Sequence, residues 1–178
     1  EVIAEKGYAG TRLEDVAQKA GVTRGAISYH FQNKQTIIKE IKKHYFPKMS
    51  RELENYLNNN LSATESLTNM VHWLLDDKNK NILRIVHQLN RGDFPDIAAD
   101  TFNSLVEESQ KAISILTDII SSGIKSGEFR EDVNTEDMAR VFYCSIEGII
   151  ENYHFTIPEK PLQEFGKNFA VSFLKSLQ

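Results

Sequence analysis

The sequence predicts an all-α protein in which a three-helix N-terminal domain, residues 1–45, precedes a larger helical domain, residues 46–178. Apolar residues recur at intervals of three and four along almost every segment, which is the spacing of one helix face. The alternation of valine, isoleucine and threonine that is typical of strands is absent. Two capping boxes, at residues 11–14 and 62–65, mark helix starts. A chain of 178 residues is long enough to bury its own core without disulfides or metals.

The first two helices are delimited by a glycine and a capping box. The first helix is expected to end at Gly7, and because the chain opens at Glu1 inside this helical pattern, we expect further residues to precede it. The capping box from Thr11 to Glu14 is predicted to start the second helix. Gly21 is predicted to end it in the left-handed conformation. The inward face has helical spacing and consists of Leu13, Val16, Ala17 and Ala20.

The third helix is short and polar. Thr23 is expected to cap it, and only Ile27 and Phe31, with Val22 in the preceding turn, are expected to hold it to the domain. The other residues are expected to face outward: Thr23, Arg24, Gly25, Ala26, Ser28, Tyr29 and His30. Asn33 is predicted to cap a fourth helix that connects the two domains, and Pro47 is expected to kink this helix.

The larger domain is predicted to contain five further helices. The capping box from Ser62 to Glu65 opens the first of them. Its inward residues are Leu67, Met70, Val71 and Leu74. The other helices are expected near residues 82–89, 96–124, 135–155 and 161–177, with a long turn at residues 125–137.

Charge is distributed unevenly between the two domains, which we call the head (residues 1–45) and the body (residues 46–178). The head holds eight lysines and arginines against five acidic residues, a net charge of +3, while the whole chain carries −4. The body therefore carries −7. This asymmetry predicts that the head alone meets a polyanion.

Several function classes have no support in the sequence. A single cysteine, Cys144, excludes an internal disulfide and indicates a reducing compartment. No apolar run approaches the roughly 18 to 20 residues of a membrane span, so we expect a cytoplasmic protein with no membrane partner. His72, His87 and His154 lack the spacing of a metal site. Because no nucleophile elbow, phosphate loop or dinucleotide motif is present either, we expect no metal, no cofactor and no enzymatic activity.

The second and third helices have the pattern of a helix-turn-helix motif. Two helices are joined by a short turn that contains Gly21, and the second helix is short enough and polar enough to enter the major groove of DNA. Arg24 is the candidate for base recognition, because a guanidinium pairs bidentately with guanine. The alternative for Arg24 is a solvated or phosphate-bound side chain. Thr11, Arg12 and Lys34 lie near helix starts and are candidates for phosphate contacts, or for purely structural roles.

Residues 1–45 resemble the N-terminal DNA-binding domain of TetR-type transcriptional regulators. The resemblance rests on the pair Gly7-Tyr8, on Thr11, and on the stretches DVAQKAGV and YHFQNK. In the body, the segment SGIKSGEFREDVNTEDMARVFYCSIEGII is similar to part of the same family. Ser28 stands where the family usually has a phosphate-contacting tyrosine, so Tyr29 is the candidate for that contact.

The last two helices carry more apolar surface than one core face needs. In the helix near residues 135–155 the apolar arc covers about 200°, twice the width of an ordinary core face. This excess predicts a homodimer with a four-helix interface, as the resemblance also implies, and two heads that read a palindromic operator in double-stranded DNA. The alternative is a monomer with two central core helices. The predicted interface residues are Phe142, Ile146, Ile149, Ile150, Tyr153, Phe165, Phe169 and Phe173.

The resemblance also implies that a small molecule enters the body and swings the connecting helix. Trp73 lies about 130° from the apolar stripe of its own helix, at 100° per residue, so it faces either a cavity or a neighbouring helix. The candidate lining residues are Trp73, Phe102, Val106, Phe142 and Tyr143. We therefore expect a homodimeric repressor released from its operator by an unidentified effector. The alternatives are an all-helical protein-interaction module and an effector-independent regulator.

Overall fold

A computed structural model of the chain describes residues 1–57, 60–76, 79, 85, 99–156 and 161–178. Within these ranges the structure contains helices, turns and loops but no strand, which confirms the all-α prediction. The predicted helix at 82–89 lies outside the described residues except for Ile85. The helices are α1 (Val2–Gly10), α2 (Leu13–Ala20), α3 (Arg24–His30), α4 (Lys34–Leu57), α5 (Ala63–Leu74), α6 (Ala99–Lys125), α7 (Thr135–Thr156) and α8 (Leu162–Leu177).

The core of the head is built mainly by α1 and α4. Helix α1 is interrupted at Gly7, whose φ of 75° and ψ of 161° are not helical, as the sequence predicts. Helix α4 runs without interruption past Pro47 to Leu57. The buried residues of the core are Ile3, Ala4, Tyr8, Ile37 and Ile38, joined by Ile85 from the body. Leu13, Val16 and Phe31 attach α2 and the end of α3 to this core.

Helix α2 begins one residue later than the predicted capping box places it, and its cap differs from the prediction. The N-cap residue is Arg12, and the Asp15 carboxylate accepts a hydrogen bond from the Arg12 N–H at 2.8 Å. The Thr11 hydroxyl instead donates to the Gly7 carbonyl oxygen at 2.7 Å. The break at Gly7 leaves that carbonyl without a helical partner, and Thr11 satisfies it. The Lys6 ammonium, followed by the Arg12 N–H, lowers the pKa of Asp15.

Helix α3 is positioned by the turn that precedes it. Gly21 has a φ of 67° and ends α2 in the left-handed conformation, and the Thr23 hydroxyl accepts from the Ala26 N–H, as predicted. Ile27 is buried. The predicted anchoring by Val22 is wrong, because this side chain is 46% exposed, and Ala20 is exposed as well. Helix α3 is therefore held by Ile27 and the half-buried Phe31.

The core of the body is formed by α5, α6, α7 and α8. Leu67, Met70 and Val71 of α5 are buried as predicted, together with Leu116 and Ile120 of α6. Trp73 belongs to the same core, because α5 is covered on more than one side. Of the two readings that the sequence leaves open for Trp73, the structure supports packing against neighbouring helices.

Helices α5 and α8 approach each other closely at Gly166. A Cβ atom at this position would lie 2.3 Å from Leu75 Cδ1 and 3.2 Å from Val71 Cγ1. Gly166 therefore sets the spacing of the two helices. Ordinary carbon contacts are about 3.5 to 4.0 Å, so no larger residue fits without a shift.

A turn after α6 joins the N-terminus of α5 to the C-terminus of α8. The Glu128 carboxylate accepts hydrogen bonds from the N–H groups of Ala63 at 3.0 Å and Thr64 at 2.9 Å. The Arg130 guanidinium donates to the Ser176 carbonyl oxygen at 3.0 Å. The negative charge of Glu128 complements the N-terminus of α5, and the positive charge of Arg130 complements the C-terminus of α8. Burial raises the pKa of Glu128, but the hydrogen bonds from Thr64 and Ala63 outweigh it, and the net pKa is lowered.

Candidate nucleic-acid interface

The outer face of α3 is exposed and mostly polar. Tyr29 is 85% exposed, and the Arg24 side chain is 72% exposed. The other residues that the sequence places outward are exposed too: Thr23, Gly25, Ala26, Ser28 and His30. Since Gly25 and Ala26 add no bulk, the backbone of α3 can approach a groove closely. Contact of these residues with DNA stays a prediction.

Two aromatic rings form the C-terminal part of this face. The Tyr29 and His30 rings meet edge to face, with 5.3 Å between centroids and 85° between planes. His30 in turn lies 6.4 Å from the half-buried Phe31 ring. These ring contacts connect the exposed Tyr29 phenol to the half-buried end of α3, so neighbouring rings support the phenol.

Arg24 forms an ion pair with Glu14 of α2. The Arg24 Nε lies 3.0 Å from Glu14 Oε1. No sequence pattern predicts this pair, because the two residues are ten positions apart and the turn between them decides which side chains meet. Arg24 is thus neither buried nor freely solvated in the DNA-free head.

The three residues predicted to contact phosphate differ in their surroundings. Thr11 is 1% exposed and is hydrogen-bonded within the head, so the structure argues against a phosphate contact by its side chain. The Lys34 ammonium donates to the carbonyl oxygens of Tyr8 at 2.7 Å and Ala9 at 3.3 Å, and it lies 4.6 Å from the centroid of the Tyr8 ring. This geometry supports the structural alternative for Lys34. The Arg12 side chain is exposed.

Ion pairs neutralise part of the charge of the head. Lys6 pairs with Asp15 at 2.6 Å, and Lys19 lies 3.4 Å from Glu1 and 3.9 Å from Glu5. Within the described residues, no ion pair involves Lys39, Lys42 or Lys43 of α4. The positive charge that remains available to a polyanion therefore lies on α4 and at Arg12.

The residues predicted to line an effector site occupy different environments. Phe142 is 1% exposed and packs on Phe173, with ring centroids 5.1 Å apart. The Tyr143 hydroxyl, which is half-buried, bonds the Ser109 hydroxyl of α6 at 2.9 Å, and burial raises the pKa of Tyr143. Val106 is exposed, Trp73 lies in the core, and the side chain of Phe102 falls outside the described residues. No sequence pattern predicts the hydrogen bond between Tyr143 and Ser109.

The predicted dimer interface requires a correction. Four of its residues are already buried within one chain, so they have almost no surface left for a partner: Phe142, Ile146, Ile150 and Phe173. The structure thus assigns them to the core of the subunit. Three others remain half-buried: Ile149, Phe165 and Phe169. The side chain of Tyr153 lies outside the described residues.

Apolar surface remains on the outer sides of α7 and α8. Val141 is 50% exposed and Val171 is 54% exposed. Cys144 and Gly148 follow Val141 on the same side of α7, at the spacing of one helix face. These two helices therefore have a buried face and a partly apolar outer face.

The described residues offer no sign of other site types. Among them, no group of three histidine, cysteine, aspartate or glutamate side chains is placed to hold a metal ion. No helix in the same ranges is both long enough and apolar enough to span a membrane.

Two family descriptions match nearly the whole chain. Residues 1–41 match "Bacterial regulatory proteins, tetR family", and residues 48–178 match "QacR-like protein, C-terminal region". A "Fatty acid metabolism regulator protein" of Bacillus subtilis (strain 168) is 26% identical over 86% of this chain and 78% of its own length. The "HTH-type transcriptional repressor KstR2" of Mycolicibacterium smegmatis is 21% identical over 76% of this chain and 65% of its own length.

Solved structures show the same fold. The ketosteroid transcriptional regulator KstR2 of Mycobacterium tuberculosis superposes with a TM-score of 0.77 at 17% identity, over 99% of this chain and 89% of that chain. The transcriptional regulator FadR from Bacillus subtilis, in complex with stearoyl-CoA, gives a TM-score of 0.73 at 20% identity, over 99% of this chain and 94% of that chain.

Proposed function

Because the chain belongs to the TetR family of bacterial regulatory proteins, which are DNA-binding transcriptional regulators, we propose that it is a homodimeric repressor released from its operator by a small molecule. The resemblance noted in residues 1–45 is thereby confirmed. The observation that carries the proposal is the exposed outer face of α3, which only Ile27 and Phe31 hold to the head. In this proposal residues 1–45 read the DNA, and residues 46–178 bind the effector and the second subunit.

Arg24 is the proposed base-reading residue. It occupies the first position of α3, and the N-terminal residues of a recognition helix are those that reach base edges in the major groove. Its side chain is mostly exposed, and its planar guanidinium suits the O6 and N7 atoms of guanine. Gly25, Ala26, Ser28 and His30 complete the proposed reading face, while Tyr29 and Arg12 are proposed to contact the backbone.

Selection from a random DNA pool tests this assignment. We expect the wild-type protein to select a palindromic site, and Arg24→Ala to lose about 1 to 3 kcal/mol of discrimination at one base pair in each half-site. Arg140→Ala is the matched control, since Arg140 is also an exposed arginine paired with a glutamate, Glu136, but lies on α7. Unchanged preference in Arg24→Ala would refute the role of Arg24, and absence of any selected site would favour the protein-interaction alternative.

The second subunit is proposed to pack on the outer faces of α7 and α8. Exposed Val141 and Val171, with half-buried Ile149, Phe165 and Phe169, supply the apolar surface that a partner would cover. Two heads on successive half-sites about 34 to 36 Å apart multiply the recognition that one short helix provides.

The effector is proposed to be an acyl-CoA thioester. The support comes from relatives, since one regulates fatty acid metabolism and the similar FadR structure contains stearoyl-CoA. Fluorescence polarisation of a labelled operator gives the test: stearoyl-CoA is expected to release the DNA, while free CoA at the same concentration is not. Equal effects of the two compounds, or none, would contradict the acyl-CoA proposal and leave DNA recognition unaffected.

A further inference from the structure

The ion pair between Glu14 and Arg24 is formed at the Nε side of the guanidinium. Glu14 Oε1 lies 3.0 Å from Arg24 Nε, which carries one of the five N–H groups of the arginine fork. The two terminal nitrogens carry the other four N–H groups. They form the edge that can bind the two acceptors of guanine end-on.

We propose that Glu14 is a positioning residue that holds Arg24 in the orientation that reads a base. This inference rests on the proposed role of Arg24 in DNA recognition. Helices α2 and α3 are joined by the short turn at Gly21, and Glu14 lies in the first turn of α2, which brings its carboxylate within reach of the long arginine side chain.

The physical benefit is orientation rather than stability. Both side chains are largely exposed, 72% for Arg24 and 48% for Glu14, and ion pairs at such sites contribute little to folding. A free arginine must lose its rotamer freedom when it binds a base, whereas an arginine already held by a carboxylate has lost part of it beforehand. Glu14 should thus increase the difference between the right and the wrong base.

Charge gives a second, independent expectation. A carboxylate beside the reading helix repels phosphates, so removal of Glu14 should increase the affinity for DNA of any sequence. If Glu14 acts only through its charge, its removal raises the affinity for every DNA sequence and leaves discrimination unchanged, whereas removal of a positioning residue lowers discrimination. The ratio of specific to non-specific binding therefore separates the two cases, because it stays constant in the first and falls in the second.

The experiment compares variants of the full chain on the selected operator and on operators altered at the base pair where Arg24→Ala loses its preference. Glu14→Ala is expected to reduce the discrimination at that base pair by about threefold to tenfold, within the range of a single base contact. Glu14→Gln, which keeps the length and polarity of the side chain but removes its charge, is expected to show a discrimination between those of the wild type and Glu14→Ala. Glu14→Ala in the Arg24→Ala background is expected to have no effect on discrimination.

Glu5→Ala is the matched control for the loss of a negative charge. Glu5 is an exposed acid of the head that lies near Lys19 rather than near α3, so its removal is expected to change all DNA affinities equally. Unchanged discrimination in Glu14→Ala would overturn the inference while leaving the role of Arg24 intact. A changed preference at a different base pair would also overturn it, because Glu14 would then contact a base itself. If Arg24→Ala retains the wild-type preference, the proposed role of Arg24 and this inference both fail.

Discussion

Replacement of Lys34 by methionine distinguishes a phosphate contact from a structural link between α1 and α4. Methionine keeps an unbranched apolar stem over the Tyr8 ring but removes the ammonium that donates to the carbonyl oxygens of Tyr8 and Ala9, at 2.7 and 3.3 Å. Hydrogen bonds from a charged group contribute about 1.5 to 3 kcal/mol. Because Lys34 is half-buried and water can replace part of the interaction, we expect a loss of about 1 to 2 kcal/mol.

Two measurements are needed. For a domain of this size the expected loss lowers the thermal midpoint by about 2 to 8 °C, which circular dichroism can follow. The second measurement is the slope of log K against log salt for operator binding, which should stay at its wild-type value. Each phosphate contact contributes about 0.9 to that slope.

The control is Lys39→Met, an exposed lysine of the same helix without an ion pair in the described part of the chain. Its thermal midpoint is expected to match that of the wild type. A Lys34→Met protein that keeps its thermal midpoint but loses about 0.9 from the salt slope for each of the two subunits on the operator, about 1.8 in all, would refute the structural assignment and restore the phosphate contact.

Three further substitutions test other features. Gly166→Ala is expected to destabilise the chain by about 1 to 2 kcal/mol in denaturant titrations, because the cost of overpacking against Leu75 exceeds the gain in helix propensity. A more stable variant would show that α5 and α8 are not in close contact. Glu128→Gln is expected to lower the free energy of unfolding at pH 7 and to lower it less at about pH 3, because the lowered pKa of folded Glu128 stabilises the chain above the ordinary pKa of glutamate and this contribution is lost as the pH falls through the folded pKa. An identical difference at both pH values would contradict that reasoning. Val141→Arg is expected to yield a folded monomer in analytical ultracentrifugation, and a dimer of undiminished affinity would exclude this face as the interface.

Local signals in the sequence predict most of the fold. The caps at Thr23, Asn33 and Ser62 and the left-handed Gly21 depend on neighbouring residues, and all four are confirmed. The cap of α2 was placed one residue early, because the break at Gly7 gives the Thr11 hydroxyl a different acceptor. Helical periodicity also identifies apolar faces, but it does not say whether a face meets its own chain or a partner. For this reason Phe142 and Phe173 were assigned to an interface although they belong to the core.

The parts of the site that the sequence did not predict are contacts between distant residues. The sequence identifies the exposed residues of α3, since a short polar helix with two apolar anchors has only one way to pack. It does not identify Glu14 as the partner of Arg24, or the carbonyl oxygens of Tyr8 and Ala9 as the acceptors for Lys34. These pairs depend on the angles at which helices cross, which no local pattern encodes.

The burial of Ile85 means that the hydrophobic core of the head includes a residue of the body. This side chain is 3% exposed and belongs to the same cluster as Ile3 and Ile38, so a fragment cut at residue 45 would lose part of that core. If the head were fused to another regulator, that protein would therefore have to supply an apolar side chain equivalent to Ile85. The evolution of the head and the body is constrained in the same way, because a change of side-chain volume at position 85 must be matched by the head residues of the same core.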